Sequence, residues 1–161
     1  MSMIEYPESP PEGRVYQYVS ADNPHMQEAR AFALSHSLDE KVKTGSVVVK
    51  DGVIIGRGSN GSDYHKAKPC RRVELGIPTG QRYEECEGCH PKNHSEPRAI
   101  SDAQSHGKDT IGADLYLWGH WWCCTPCWHA IITGGIANVY LLEGSEILFD
   151  REKEGNILGT W

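Results

Sequence analysis

Two short stretches carry side chains whose types and spacing can do chemistry. One residue separates His94 from Glu96, and two separate Cys124 from Cys127 in Cys124-Thr125-Pro126-Cys127. One imidazole and two thiolates form a donor set for zinc, and three protein ligands leave a tetrahedral ion one open position for water. Glu96 lies two residues from His94 and is placed to carry protons. Cys123 rivals Cys124 as a ligand, but a C-x-x-C opening a helix lets both sulfurs converge on one ion, which favours Cys124 with Cys127.

The remaining cysteines, Cys70, Cys86 and Cys89, lie upstream in a polar stretch rich in Gly and Pro that runs from Ser59 to about Asn93. A connection this long inside a compact domain needs a function or its own means of ordering. Cys70, Cys86 and Cys89, with His65 or His90, offer the four ligands of a closed structural zinc site. The alternative is a surface loop with an unpaired thiol or two. A disulfide framework is disfavoured, because no secretory signal precedes the cysteines and histidines are interleaved among them.

The elements that must position these groups read as follows. Residues 1 to about 20 show no helix or strand period and are expected to form an arm packed loosely on the domain or on a neighbouring subunit. Asn23-Pro24 supplies an N-cap and first-turn proline for a helix to about Ser37. Ser46 to Lys50 and Val53 to Gly56 flank Asp51-Gly52, a type I′ hairpin signal. A short helix is expected at Arg71 to Leu75, a helix from His94 to Gly107, and a strand over Asp114 to Trp118. The cysteine cluster opens a further helix through Ile131 and Ile132 to Gly134-Gly135, and Ile136 to Glu143 reads as a buried strand. Ile147-Leu148-Phe149 suggests an edge strand, and the charged tail to Trp161 has no assignment. This order implies a single α/β domain with helices on both faces of a mixed sheet. Both chemical stretches then open helices, where partial positive charge favours thiolate over thiol.

At 161 residues the chain fits one domain with a two- or three-layer core. A formal charge of −6 argues against a phosphate-tracking surface, so a small substrate is expected and nucleic acid is not. The first residues, Met1 to Pro7, have neither a basic start nor an apolar core. No apolar run approaches the roughly 20 residues of a membrane span, and a soluble cytoplasmic protein is expected.

The H-x-E and C-x-x-C pair resembles the signature of zinc nucleobase deaminases. The likeness extends over roughly Pro24 to Glu143 and is greatest to the deoxycytidylate (dCMP) deaminase branch of the cytidine and deoxycytidylate deaminase superfamily. It includes the region from Gly45 to Asn60-Gly61, the loop from Cys70-Arg71-Arg72 through Gly76-Ile77-Pro78-Thr79-Gly80 to Glu85-Cys86, and Ile131-Ile132 ahead of Gly135-Ile136. The resemblance implies a three-layer α/β/α cytidine-deaminase-like fold with a five-stranded sheet, and homo-oligomers, often hexamers. His94, Cys124 and Cys127 would hold the catalytic zinc, Glu96 would be the general acid/base, and Asn60 would contact the sugar. It also implies a loop zinc site at Cys70 and Cys86 in some members. The implied reaction is hydrolytic deamination of a cytosine nucleotide, dCMP to dUMP and ammonia. Rivals are a modified or triphosphorylated cytosine nucleotide, a free nucleoside, a tRNA base, or binding without catalysis.

The chain departs from the family pattern in places. Pro97-Arg98 replaces the usual residues after the Glu, Cys123 stands where proline is usual, and the connections before His94 and before Cys124 are longer by about four and two residues. Trp121 and Trp122 either form a wall for the base or make packing or oligomer contacts. His120 either lines the pocket or lies on the surface. Arg98 either meets a phosphate or is an exposed helix arginine. Arg71 and Arg72 read as solvated loop charges.

Overall fold

The computed structural model describes residues 4–62, 64, 68–78, 81–87 and 90–161. A five-stranded mixed sheet in the order β1-β5-β4-β2-β3 lies at the centre. Its strands are β1 (Gln17–Val19), β2 (Gly45–Lys50), β3 (Val53–Ser59), β4 (Asp114–Trp118) and β5 (Asn138–Leu142). β2 pairs antiparallel with β3 and β4, whereas β4, β5 and β1 run parallel to one another.

The sheet separates two apolar layers because successive side chains alternate between its faces. Val48, Leu115, Leu117, Val139 and Leu141 face one layer, and Val47, Val49, Tyr116, Trp118 and Leu142 the other. Helix α1 (Pro24–His36) covers the second layer through Met26, Ala29 and Ala33. It starts as the sequence predicts, with Asn23 Oδ1 accepting from the His25 and Met26 amides at 3.0 Å each and Pro24 in the first turn. Helices α3 (Ser95–Ser105) and α4 (Thr125–Thr133) pack on the first layer. A short helix, α2 (Arg71–Glu74), lies in the long connection.

The hairpin turns through Asp51 (φ 52°) and Gly52 (φ 78°), the two left-handed residues of a type I′ turn. Beyond it, Gly56 and Gly58 let α3 lie directly on β3. A Cβ at Gly58 would stand 2.4 Å from the Ser95 carbonyl oxygen, and one at Gly56 2.2 Å from that of Ala99. The close approach fixes the helix that carries His94 and Glu96.

Two expectations are corrected. The arm is not loose: β1 lies within it and pairs with β5. Arg14 Nη1 also donates to the Ile136 carbonyl at 3.0 Å, and Tyr16 is buried. The edge strand expected at Ile147-Leu148-Phe149 is instead part of a short helix, α5 (Ser145–Leu148). Gly144 in a left-handed conformation turns the chain away from the sheet, and Phe149 then packs edge-on against Trp118, ring centres 5.0 Å apart. The tail continues to Trp161, whose indole donates to the Glu40 carbonyl at 3.2 Å. No described helix is long and apolar enough to cross a membrane.

Candidate active site

His94 is the residue before α3, and Cys124 the residue before α4. Neither side chain caps its own helix. They meet instead across the ends of the two helices: His94 Nδ1 lies 3.3 Å from Cys127 Sγ and 3.5 Å from Cys124 Sγ, and the sulfurs are 3.1 Å apart. Tetrahedral zinc with ordinary bond lengths requires N···S separations of about 3.6 Å and an S···S separation of about 3.8 Å. The donors therefore fit zinc after the sulfurs spread by about 0.7 Å. Among the described residues, these three form the one group of potential metal ligands within reach of each other. Without metal, the hydrogen bond from the Cys127 thiol, aided by His94, brings Cys124 down to about 6 despite its burial. Cys127 keeps the proton and is pushed up.

Glu96 is buried in the first turn of α3, in the cavity bounded by His94 and Cys124. Its Oε1 accepts from Ser95 Oγ at 2.9 Å, and Ser95 Oγ lies 2.8 Å from Ser46 Oγ on β2. Ser95 donates its one hydroxyl proton to Glu96, so Ser46 donates to Ser95. Burial first, and the nearby Glu96 carboxylate next, push the fully buried Cys123 thiol up, so it remains a thiol. Cys123 is thus a neighbour of Glu96 rather than a member of the group that could hold a metal ion.

The cavity holds about 220 Å³. Of the sequence-predicted contacts, Asn60, His120 and Trp122 line it. The side chain of Asn60 also ties its surroundings together: Oδ1 accepts from the Thr44 amide at 2.9 Å and from Ser37 Oγ, and Nδ2 donates to the Val42 carbonyl at 2.7 Å. His120 Nδ1 donates to the Trp122 carbonyl at 2.7 Å, since that oxygen can only accept. Burial depresses its pKa, so the ring is neutral and Nε2 is an acceptor.

Trp121 does not line the cavity; it stands 6.3 Å from Tyr6 in the arm. Nor does Arg98, which is half-buried. It donates to the Ser59 carbonyl and to Asn93 Oδ1, both at 2.9 Å, and so joins β3 to the segment before His94. Of the residues proposed for a loop zinc site, His65 and Cys89 lie outside the described residues. Cys86 is buried, Cys70 half-buried, and His90 Nδ1 accepts from the Lys92 amide at 3.1 Å.

Sequence reasoning missed several residues. Arg72, read as solvated, is buried in the cavity wall, with Nε bonded to the Gln81 carbonyl and Nη2 to that of Pro78, each at 2.9 Å. Its guanidinium lies 4.5 Å from the centre of the Tyr83 ring, and Tyr83 stands edge-on to His94 at 4.9 Å. The arm also reaches the site. Tyr16 Oη accepts from the Cys123 amide at 2.7 Å, and Glu8 Oε2 accepts from the Thr125 amide at 2.6 Å and from its hydroxyl at 3.1 Å. No periodicity marks these residues.

The profile of the cytidine and deoxycytidylate deaminase zinc-binding region matches residues 19–143. No curated protein matches the sequence. Among solved structures, the dCMP deaminase of cyanophage S-TIM5 in complex with dCMP and dUMP superposes with a TM-score of 0.52 at 25% identity, over 73% of this chain and 76% of that one. The diaminohydroxyphosphoribosylaminopyrimidine deaminase/5-amino-6-(5-phosphoribosylamino)uracil reductase of Thermotoga maritima gives 0.44 at 26% identity over 73% of this chain, which spans only 28% of that protein. The Bacillus subtilis guanine deaminase gives 0.45 at 21% identity, over 80% and 70%.

Proposed function

Because the chain belongs to the cytidine and deoxycytidylate deaminase family, we propose that it hydrolyses the exocyclic amine of a cytosine nucleotide, converting dCMP to dUMP and ammonia. The observation that carries this reading is the buried Glu96 carboxylate in one cavity with His94 and Cys124, beside Cys127. The likeness to a dCMP deaminase supports the choice of nucleotide.

His94, Cys124 and Cys127 are the residues that would hold zinc. When bound, zinc supplies the Lewis acidity that brings the pKa of a water from 15.7 toward 7. Glu96 accepts the proton of the attacking water and delivers it to N3 of the base as C4 becomes tetrahedral. It then carries the second proton to the amine, which leaves as ammonia. The Ser46-to-Ser95 hydroxyl chain holds the carboxylate in place. Neutral His120 offers Nε2 as an acceptor for an N–H or O–H of the substrate.

The test is ammonia release from dCMP, dCTP, cytidine, deoxycytidine and a 5-substituted dCMP, with zinc counted per chain. The expected result is turnover of dCMP that Glu96→Gln abolishes while zinc remains bound. A zinc-loaded Glu96→Gln protein that still turns over sinks the assignment of Glu96, and silence on every substrate with zinc present sinks the enzyme reading.

A further inference from the structure

We propose that Arg72 and Arg151 form an anion site in the cavity that reads a phosphate on the substrate, and that the C-terminal segment thereby sets the preference for nucleotide over nucleoside. The proposal rests on the reading of the cavity as a cytosine-nucleotide site and adds the residues that discriminate among its substrates.

Three observations converge on it. First, both guanidiniums line the cavity that holds His94 and Glu96, and neither has a carboxylate within ion-pair distance among the described residues. Arg72 is only 9% exposed. A buried cation without a counter-charge is costly, and an incoming anion is what such a site lacks. Second, Arg72 is held in place by its own loop. Two of its five N–H donors go to the Gln81 and Pro78 carbonyls, the Tyr83 ring lies against the guanidinium, and three donors remain. A planar fork fixed in this way is suited to a tetrahedral phosphate oxygen pair. Third, Arg72 is linked to His94 through one ring: its guanidinium lies 4.5 Å from the centre of Tyr83, and Tyr83 stands edge-on to His94 at 4.9 Å.

Arg151 comes from a different part of the chain. Residues after 143 lie beyond the segment that matches the family, yet the tail is fastened over the cavity side of the molecule by Trp161 on Glu40 and by the Ile157 amide on the Leu148 carbonyl. Arg151 itself is exposed, so it can be changed without disturbing the core. Asp39 also lines the cavity, and its carboxylate would oppose a phosphate. Its Oδ1 is committed to the Lys41 and Val42 amides at 2.9 and 2.8 Å, which offsets part of that charge. Ser62 and Thr44 place hydroxyls in the same wall.

The experiment uses the zinc-loaded full chain and Arg151→Ala, with Arg151→Lys as the conservative variant. Phosphorus NMR titration with 2-deoxyribose 5-phosphate reads the anion site without involving the base. The ratio of kcat/KM for dCMP to that for deoxycytidine reads its use in catalysis. The expected result is that Arg151→Ala weakens 2-deoxyribose 5-phosphate at least tenfold and lowers the dCMP to deoxycytidine ratio at least tenfold. Arg151→Lys recovers part of both losses. Equal affinity of wild type and Arg151→Ala for 2-deoxyribose 5-phosphate, or no binding to the wild type, overturns the proposal. An unchanged substrate ratio overturns it as well. If no cytosine compound is turned over, the function reading fails while the titration still decides the anion site.

Discussion

Replacing Tyr16 with Phe deletes one oxygen and isolates the link between the N-terminal arm and the metal-binding turn. Tyr16 is 6% exposed, its ring packs on Tyr6 and Trp128 at 5.0 and 5.5 Å, and burial holds the phenol firmly protonated. Phe keeps those ring contacts. What is lost is the acceptor for the Cys123 amide, which leaves a buried N–H unpaired one residue before Cys124. Stranding such a group costs about 1–3 kcal/mol. For a chain of this size each kcal/mol lowers the melting temperature by about 2–4 °C, so a fall of roughly 2–12 °C is expected. The assays are thermal melting and zinc competition with a chelator, and zinc affinity should fall along with stability. A double-mutant cycle sharpens the result, because proline at position 123 has no N–H to strand. In the Cys123→Pro background, Tyr16→Phe should cost markedly less. A Tyr16→Phe protein that melts within about 1 °C of wild type, or pays the same cost in both backgrounds, refutes the reasoning.

Gly58→Ala should destabilise by about 1–3 kcal/mol or more and lower kcat, because a Cβ 2.4 Å from the Ser95 carbonyl oxygen and 2.5 Å from the Ala99 amide must push α3, with Glu96, off β3; an active variant of wild-type stability contradicts the close-packing argument. His120 gives a pH prediction. Burial lowers its folded pKa below the ordinary 6.5, so below that pH the unfolded chain binds a proton that the folded one refuses. Stability is therefore unpenalised above about 6.5 and falls on acidification by up to about 1.4 kcal/mol per pH unit, until the folded pKa is reached. His120→Gln should flatten this limb in melts between pH 5 and 7, and an unchanged pH dependence excludes the cause. Stripping zinc with a chelator and adding diamide should join Cys124 to Cys127, since the sulfurs lie 3.1 Å apart and Cys124 is brought down to about 6. Thiol counting should then show two fewer thiols and no zinc uptake until a reductant is added; persistence of both thiols contradicts the geometry.

The parts of the fold that were legible in the sequence are those set by local chemistry. Asp51-Gly52 dictates a turn only left-handed residues can make, and Asn23-Pro24 dictates where a helix begins. The meeting of His94, Cys124 and Cys127 was legible for the same reason, since each stretch opens its own helix. β1 was not, because three residues hold no period and their pairing depends on β5, more than a hundred residues away. Ile147-Leu148-Phe149 suits strand or helix equally, and Gly144 and the pocket beside Trp118 decide for helix. Arginines were the least legible. Arg72 and Arg98 are both turned inward by backbone carbonyls that no sequence pattern announces, one into the cavity wall and one between β3 and Asn93.

The placement of the flanking segments explains how the departures around the site are accommodated. Proline before the first cysteine would leave no amide to satisfy. Cys123 introduces one, and the structure answers it with Tyr16 from the arm, while Glu8 accepts from the next orphan donor at the start of α4, where a carboxylate also complements the helix dipole. Arg151, which lines the cavity, comes from a tail anchored through Trp161. Glu8, Arg14, Tyr16 and Trp161, all outside residues 19–143, are therefore tied by hydrogen bonds to the matched segment. The matched segment carries the His94, Cys124 and Cys127 group and Glu96, and the N-terminal flank supplies the hydrogen bonds that the Cys123 and Thr125 amides require.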